Sequence, residues 1–219
     1  MKEHDKIKYV VLIGLFSAMS FAFTMLGHLI PVRIQGFLSY DPKDILVVIA
    51  GFVLGPVATI LIAIISSLIE MVTISTTGLW GLLMNILSTV SFAFVASIIY
   101  KKKRTLSGAI IGLILGILTM TLSMMLWNYF VTPVYMGVPR ETVAKMLPTV
   151  FLPFNLLKAT ANASITMLLY KPIVGALRKT KLIENSPSGK SDVKLVLIII
   201  SFAILLASVF LFLMLGGVI

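Results

Sequence analysis

Asn155, Lys158 and Asn162 stand in FLPFNLLKATANA (residues 151–163), a stretch otherwise apolar enough to lie in lipid. On a helix, residues three and four apart share a face, so these three polar groups form one stripe. A lysine at the bilayer centre costs about 2.5–3.5 kcal/mol on insertion scales, and a bound ligand is the natural compensation. Asn128, in LWNYF (126–130), places a second amide at the end of another apolar run. An Asn amide carries a donor and an acceptor in one plane, and an ammonium carries three donors. Together they could read the edge of a flat, carbonyl-rich heterocycle, with Trp127, Tyr129 and Phe154 stacking on its faces. The alternative is that Lys158 snorkels to the interface while the amides bond between helices.

Weaker signals accompany these. Asn85, with Gly81 and Ser88, could line the same pocket from a neighbouring helix. Met120, Met124 and Met125 either pack or supply an adaptable wall for a flat ligand. Glu70 shares a face with Ser66 and Thr73, and its carboxyl either bonds between helices or meets an interface. It is the only acid deep in an apolar run, so paired intramembrane carboxylates for a proton relay are not expected. The sequence holds no GxxxxGK[ST], GxGxxG or GxSxG motif. Its histidines, His4 and His28, lie in no HExxH, and no metal, cofactor or catalytic residue is expected.

The elements that must carry these residues are membrane helices. The 219 residues are 59% hydrophobic and 12% charged, with a mean hydropathy of +1.09; soluble domains carry about 25% charge. Several apolar runs exceed the roughly 20 residues that cross a bilayer. The absence of cysteine excludes disulfides and thiolate metal sites. The net charge of +10 reads as basic cytoplasmic loops rather than a nucleic-acid surface. The N-terminus has the basic start of a signal peptide, but its apolar run continues to Ile30 without a small-residue cleavage pattern, which predicts a retained first helix.

Charge parity orders the helices. Lys2, Lys6 and Lys8, then Lys101–Arg104, then Lys171, Arg178, Lys179, Lys181, Lys190 and Lys194 contain most of the 18 basic residues, and all belong on the cytoplasmic side. An even number of crossings must then precede Lys101. That requires the run 45–74 to break in two at GFVLGP (51–56), where Gly51, Gly55 and Pro56 supply the means. The predicted helices are 9–28, 43–54, 56–73, 79–100, 106–131, 149–176 and 193–216, with a polar linker, ENSPSGKSD, before the last. The second helix, about 18 Å long, is too short to span, and Asp41 before Pro42 marks its start. The segments 29–42, 74–78 and 132–148 fall outside, so the polar cluster converges on the outer half of the bundle. Residues 1–180 form the membrane bundle, 181–192 the cytoplasmic linker and 193–219 an additional helix.

The same residues carry a resemblance. FLSYDPKDI (37–45), GFVLGP, NYF (128–130), PFNLLK (153–158) and AMSFA (18–22) resemble the substrate-binding S components of energy-coupling factor (ECF) vitamin transporters, particularly the riboflavin-specific group. The likeness covers most of 9–176. It implies an all-α membrane protein with a six-helix S-component bundle, which makes the seventh helix a departure. It implies that Asn128, Asn155 and Lys158 hold the flavin's pyrimidine edge, with Asn85, Leu38, Tyr40, Asp41 and Trp127 around it. It also implies that the 29–42 loop closes over riboflavin, which is cargo rather than cofactor. Ala18 and Ala22, four apart, resemble the AxxxA motif through which the first helix meets a transmembrane coupling subunit, which in turn works with two cytoplasmic ATPases. The chain would be a non-enzymatic, multi-pass protein of the bacterial cell membrane with a cytoplasmic N-terminus, toppling in the bilayer to release its cargo. S components for another vitamin or flavin relative fit the architecture equally. A lipid-modifying enzyme would need a metal or acid cluster, and a secondary transporter an inverted repeat; neither is evident.

Overall fold

The break at GFVLGP is present. In the computed structural model, which describes residues 3–29, 33–180, 182 and 195–217, α2 (Lys43–Leu54) ends at Gly55 and α3 (Pro56–Thr73) starts at the next residue. Gly55 has φ +97°, a conformation that a side chain would strain. Pro56 then opens α3 at a position where its missing N–H costs nothing.

The remaining helices are α1 (Glu3–His28), α4 (Gly78–Lys102), α5 (Leu106–Phe130), the short α6 (Thr132–Met136) and α7 (Arg140–Met146), α8 (Leu152–Lys179) and α9 (Leu195–Leu215). Most boundaries agree with expectation to within a few residues. Two differ. The first helix begins at Glu3 rather than residue 9, so Lys6 and Lys8 lie within it, and Glu3 and Asp5 in its first turn suit the positive end of the helix dipole. The 132–148 segment is not an open loop: it holds α6 and α7 and leads through a π-turn (Leu147–Phe151) into α8. Helix α2 keeps its expected bounds, with Pro42 in the cap position. Asp41 still caps it from one residue further out, its Oδ1 accepting the Lys43 N–H at 3.1 Å. The predicted polar linker lies outside the described residues apart from Leu182.

Among the described residues, α1, α3, α4, α5 and α9 are long and apolar enough to cross a membrane. With its 28 residues α8 has the length, but it carries the polar stripe. The short α2 is the hub: Lys43 through Gly51 are all buried, and α2 touches α1, α3, α4 and α8. A helix apolar all round must be enclosed. The exposed side chains of the outer helices, such as Val57, Val72, Leu118 and Leu122, are apolar and suit a lipid boundary. The segment after α1 forms an antiparallel hairpin, β1 (Arg33–Ile34) with β2 (Leu38–Ser39), pairing Arg33 with Ser39 and Ile34 with Leu38.

Helices α4 and α5 make the closest pair. A Cβ on Gly112 would stand 2.7 Å from the Ala96 carbonyl oxygen, and one on Gly116 would stand 2.7 Å from that of Phe92. This small-xxx-small contact lets the backbones meet where no hydrophobic effect drives association. Gly112→Leu is therefore expected to destabilise the bundle by about 1–3 kcal/mol through overpacking, read as a lower melting temperature in detergent. Gly14→Leu, at a position where an added Cβ meets nothing within 4 Å, should leave that temperature unchanged.

Candidate functional site

Helices α3, α4, α5 and α8 and the hairpin enclose a cavity of about 210 Å³. From α8 come Phe154, Asn155 and Lys158; from α5, Met124 and Asn128; from α4, Met84, Asn85 and Ser88. Glu70, Ile74 and Ser75–Thr77 close the α3 side, and His28, Arg33, Phe37, Leu38, Ser39 and Asp41 form the roof. The predicted residues Asn128, Asn155, Lys158, Asn85, Leu38 and Asp41 thus share one cavity.

The two amides on the wall are fixed by their own helices. Asn128 Nδ2 donates to the Met124 carbonyl at 2.7 Å, and its Oδ1 accepts from Thr132 Oγ1 at 2.8 Å. Asn155 Nδ2 donates to the Phe151 carbonyl at 2.7 Å. Ser88 Oγ, on the same wall, has no hydrogen-bond partner among the described residues. Lys158 is buried, with Nζ 4.0 Å from Asp44 Oδ2.

Three expected wall residues lie elsewhere. Tyr129 is exposed, its ring against Phe130 and beneath the Arg140 guanidinium. Trp127 is half-buried and packs against the apolar core, because one helical step from Asn128 turns it about 100° away. Tyr40 lies behind the wall, its hydroxyl donating to Asn162 Oδ1 at 2.6 Å. Asn162, the third member of the polar stripe, also binds protein rather than cavity. Its Nδ2 donates to the Asp41 carbonyl at 3.1 Å and to Asp44 Oδ2 at 3.3 Å, so it ties the hairpin and α2 to α8.

Beside the cavity lies a cluster of acids that sequence spacing does not bring together. Asp44 and Glu70 are both buried and both join a network with Asp41. At its centre Lys43, fully buried, has its ammonium 2.9 Å from Asp41 Oδ2 and 2.7 Å from Glu70 Oε2. Asn85 Nδ2 donates to Glu70 Oε1 at 2.8 Å, Thr24 Oγ1 to Asp41 Oδ1 at 3.3 Å, and Thr89 Oγ1 to Asp44 Oδ1 at 2.6 Å. One cluster thus joins α1, the hairpin, α2, α3, α4 and α8. Burial alone would raise the Asp41 carboxyl, but the Lys43 and Lys158 ammonium groups reverse that and hold it down at about 2. Burial, and then the charges of Asp41 and Asp44, push the Tyr40 phenol well above its usual range, so it stays a donor. Sequence reasoning missed Lys43 because a lysine in the first turn of a helix next to an outer loop ordinarily points to water. It missed His28, Arg33 and the Ser75–Thr77 rim because nothing local marks them.

The family model for the substrate-specific component of ECF transporters matches residues 8–170. The chain belongs to that family. As an S component it is similar to the riboflavin transporter RibU of Staphylococcus aureus, 31% identical over 178 residues, covering 78% of this chain and 93% of that protein. It is also 25% identical over 174 residues to the riboflavin transporter FmnP of Bacillus subtilis (75% and 91% covered) and 27% identical over 189 residues to RibU of Streptococcus thermophilus (82% and 87%). Among solved structures, the S component of a bacterial ECF transporter superposes with a TM-score of 0.67 and 29% identity, covering 79% of this chain and 99% of that one. The family match ends inside α8, so α9 lies beyond it.

Removing the central ammonium should unfold this cluster. Lys43→Met leaves two buried carboxylates without their cation and is expected to cost about 3–5 kcal/mol, seen as a large loss of thermal stability in detergent. Adding Glu70→Gln to that variant removes one stranded charge and should recover part of the loss.

Proposed function

We propose that this S component binds riboflavin in the outer cavity and passes it inward with a transmembrane coupling subunit and two cytoplasmic ATPases, performing no covalent chemistry itself. The observation that carries the reading is the convergence of Asn128, Asn155 and Lys158, from α5 and α8, on one cavity wall. Fixed amides and an ammonium match the alternating acceptors and donors along a flavin's pyrimidine edge. Met84, Met124 and Phe154 supply adaptable apolar surface for the fused rings. The unpartnered Ser88 hydroxyl adds a further polar contact. The names of the three bacterial relatives support the same vitamin. In this reading the protein sits in the bacterial cell membrane with its N-terminus cytoplasmic, which keeps its basic clusters inside.

Protein purified in detergent is expected to show flavin absorbance or, if isolated empty, to quench riboflavin fluorescence at one ligand per chain. Lys158→Ala should weaken that binding at least tenfold while the protein remains monodisperse. Absence of quenching by the wild type would overturn riboflavin as the ligand; unchanged affinity in Lys158→Ala would overturn the assigned wall.

Ala18 and Ala22 are exposed on α1, where small side chains let a second helix approach closely. Ala18→Leu is expected to spare riboflavin binding yet abolish uptake in cells that supply the coupling subunit and ATPases. Normal uptake would remove α1 from the proposed interface.

A further inference from the structure

Helix α9 lies outside the family match, and the solved S component aligns with 79% of this chain. Helix α9 is nevertheless packed along α8. Ser208 is buried, and Ser201, Leu205 and Phe212 are half-buried. Their steps of four, three and four residues make a single stripe toward α8. Phe202 and Val209 on the flank and Phe210 on the opposite side are exposed.

At the outer end this stripe reaches the site. The Phe212 ring meets Tyr40 edge-on, with centroids 6.1 Å apart at 69°, and lies 6.3 Å from the Phe154 ring. Phe154 is part of the cavity wall, and Tyr40 adjoins Asp41 in its roof. Tyr40 is otherwise anchored by its hydrogen bond to Asn162. Phe212 therefore stands behind the joint between roof and wall, touching one residue of each.

We propose that Phe212 is a positioning residue for the cavity: α9 braces the roof segment 38–41 against α8 from outside the six-helix bundle and so slows its opening. The consequence for ligand exit rests on the riboflavin reading; the bracing itself does not. Because the chain has no cysteine, Ser39→Cys gives a single reporter in the roof. In ligand-free protein, a water-soluble maleimide should label that cysteine about fivefold faster when Phe212→Ala is added, the scale expected for losing aromatic contacts. Phe212→Leu, which keeps apolar volume without the ring, should give a smaller increase in the same direction. Phe212→Tyr, which keeps the ring, and Phe210→Ala, on the open side of α9, should label at the parent rate. The dissociation rate of riboflavin should rise in parallel with little change in association. Equal labelling across Phe212→Ala, Phe212→Leu and the parent would overturn the brace, as would an equal increase in Phe210→Ala. A parent that binds no riboflavin defeats the functional reading instead, and labelling alone then decides the role of Phe212.

Discussion

A buried ammonium organises this protein. Lys43 sits at the start of a fully enclosed helix, in contact with two carboxylates that come from different parts of the chain. A charge in such a place costs several kcal/mol of desolvation, and only well-placed opposite charges offset it. The offset is available in one arrangement: the hairpin must descend so that Asp41 reaches Lys43, and α3 must present Glu70 at the same height. A short helix that cannot span the bilayer is thereby fixed in depth and rotation, and the cavity roof is fixed with it.

The polar residues divide into those that face the cavity and those that hold the frame. Asn155 and Lys158 belong to the first group; Asn162, one turn further along α8, belongs to the second. The two groups touch where Lys158 and Asp44 stand 4.0 Å apart. A ligand that engages the Lys158 ammonium therefore acts on a group already coupled to the frame. Occupancy of the cavity and position of the roof share one set of charges, the physical requirement for a binding event to be sensed at the bundle's outer end.

As a substrate-specific component, the chain needs a cavity for its substrate. The cavity lies under the hairpin, and α1 leaves its small residues uncovered. Helix α9 lies beyond the family match and packs on α8.

The sequence by itself determined the membrane class, the helix order and most helix ends, because these follow from local quantities: apolar run length, basic clusters, and the Gly55–Pro56 pair that no continuous helix tolerates. It also marked Asn128, Asn155 and Lys158, since a polar group in an apolar run stands out without knowledge of its neighbours. Tertiary structure decided which polar groups meet. Lys43 and Glu70 are 27 residues apart, and Tyr40 and Asn162 are 122 apart; no spacing rule reaches so far. It turned Trp127 and Tyr40 away from the cavity wall and brought Phe212 to its edge, because a side chain's partner depends on how helices rotate and cross. That rotation is settled by the most costly group to bury, here the Lys43 ammonium, whose partner Glu70 comes within reach only once the bundle has closed.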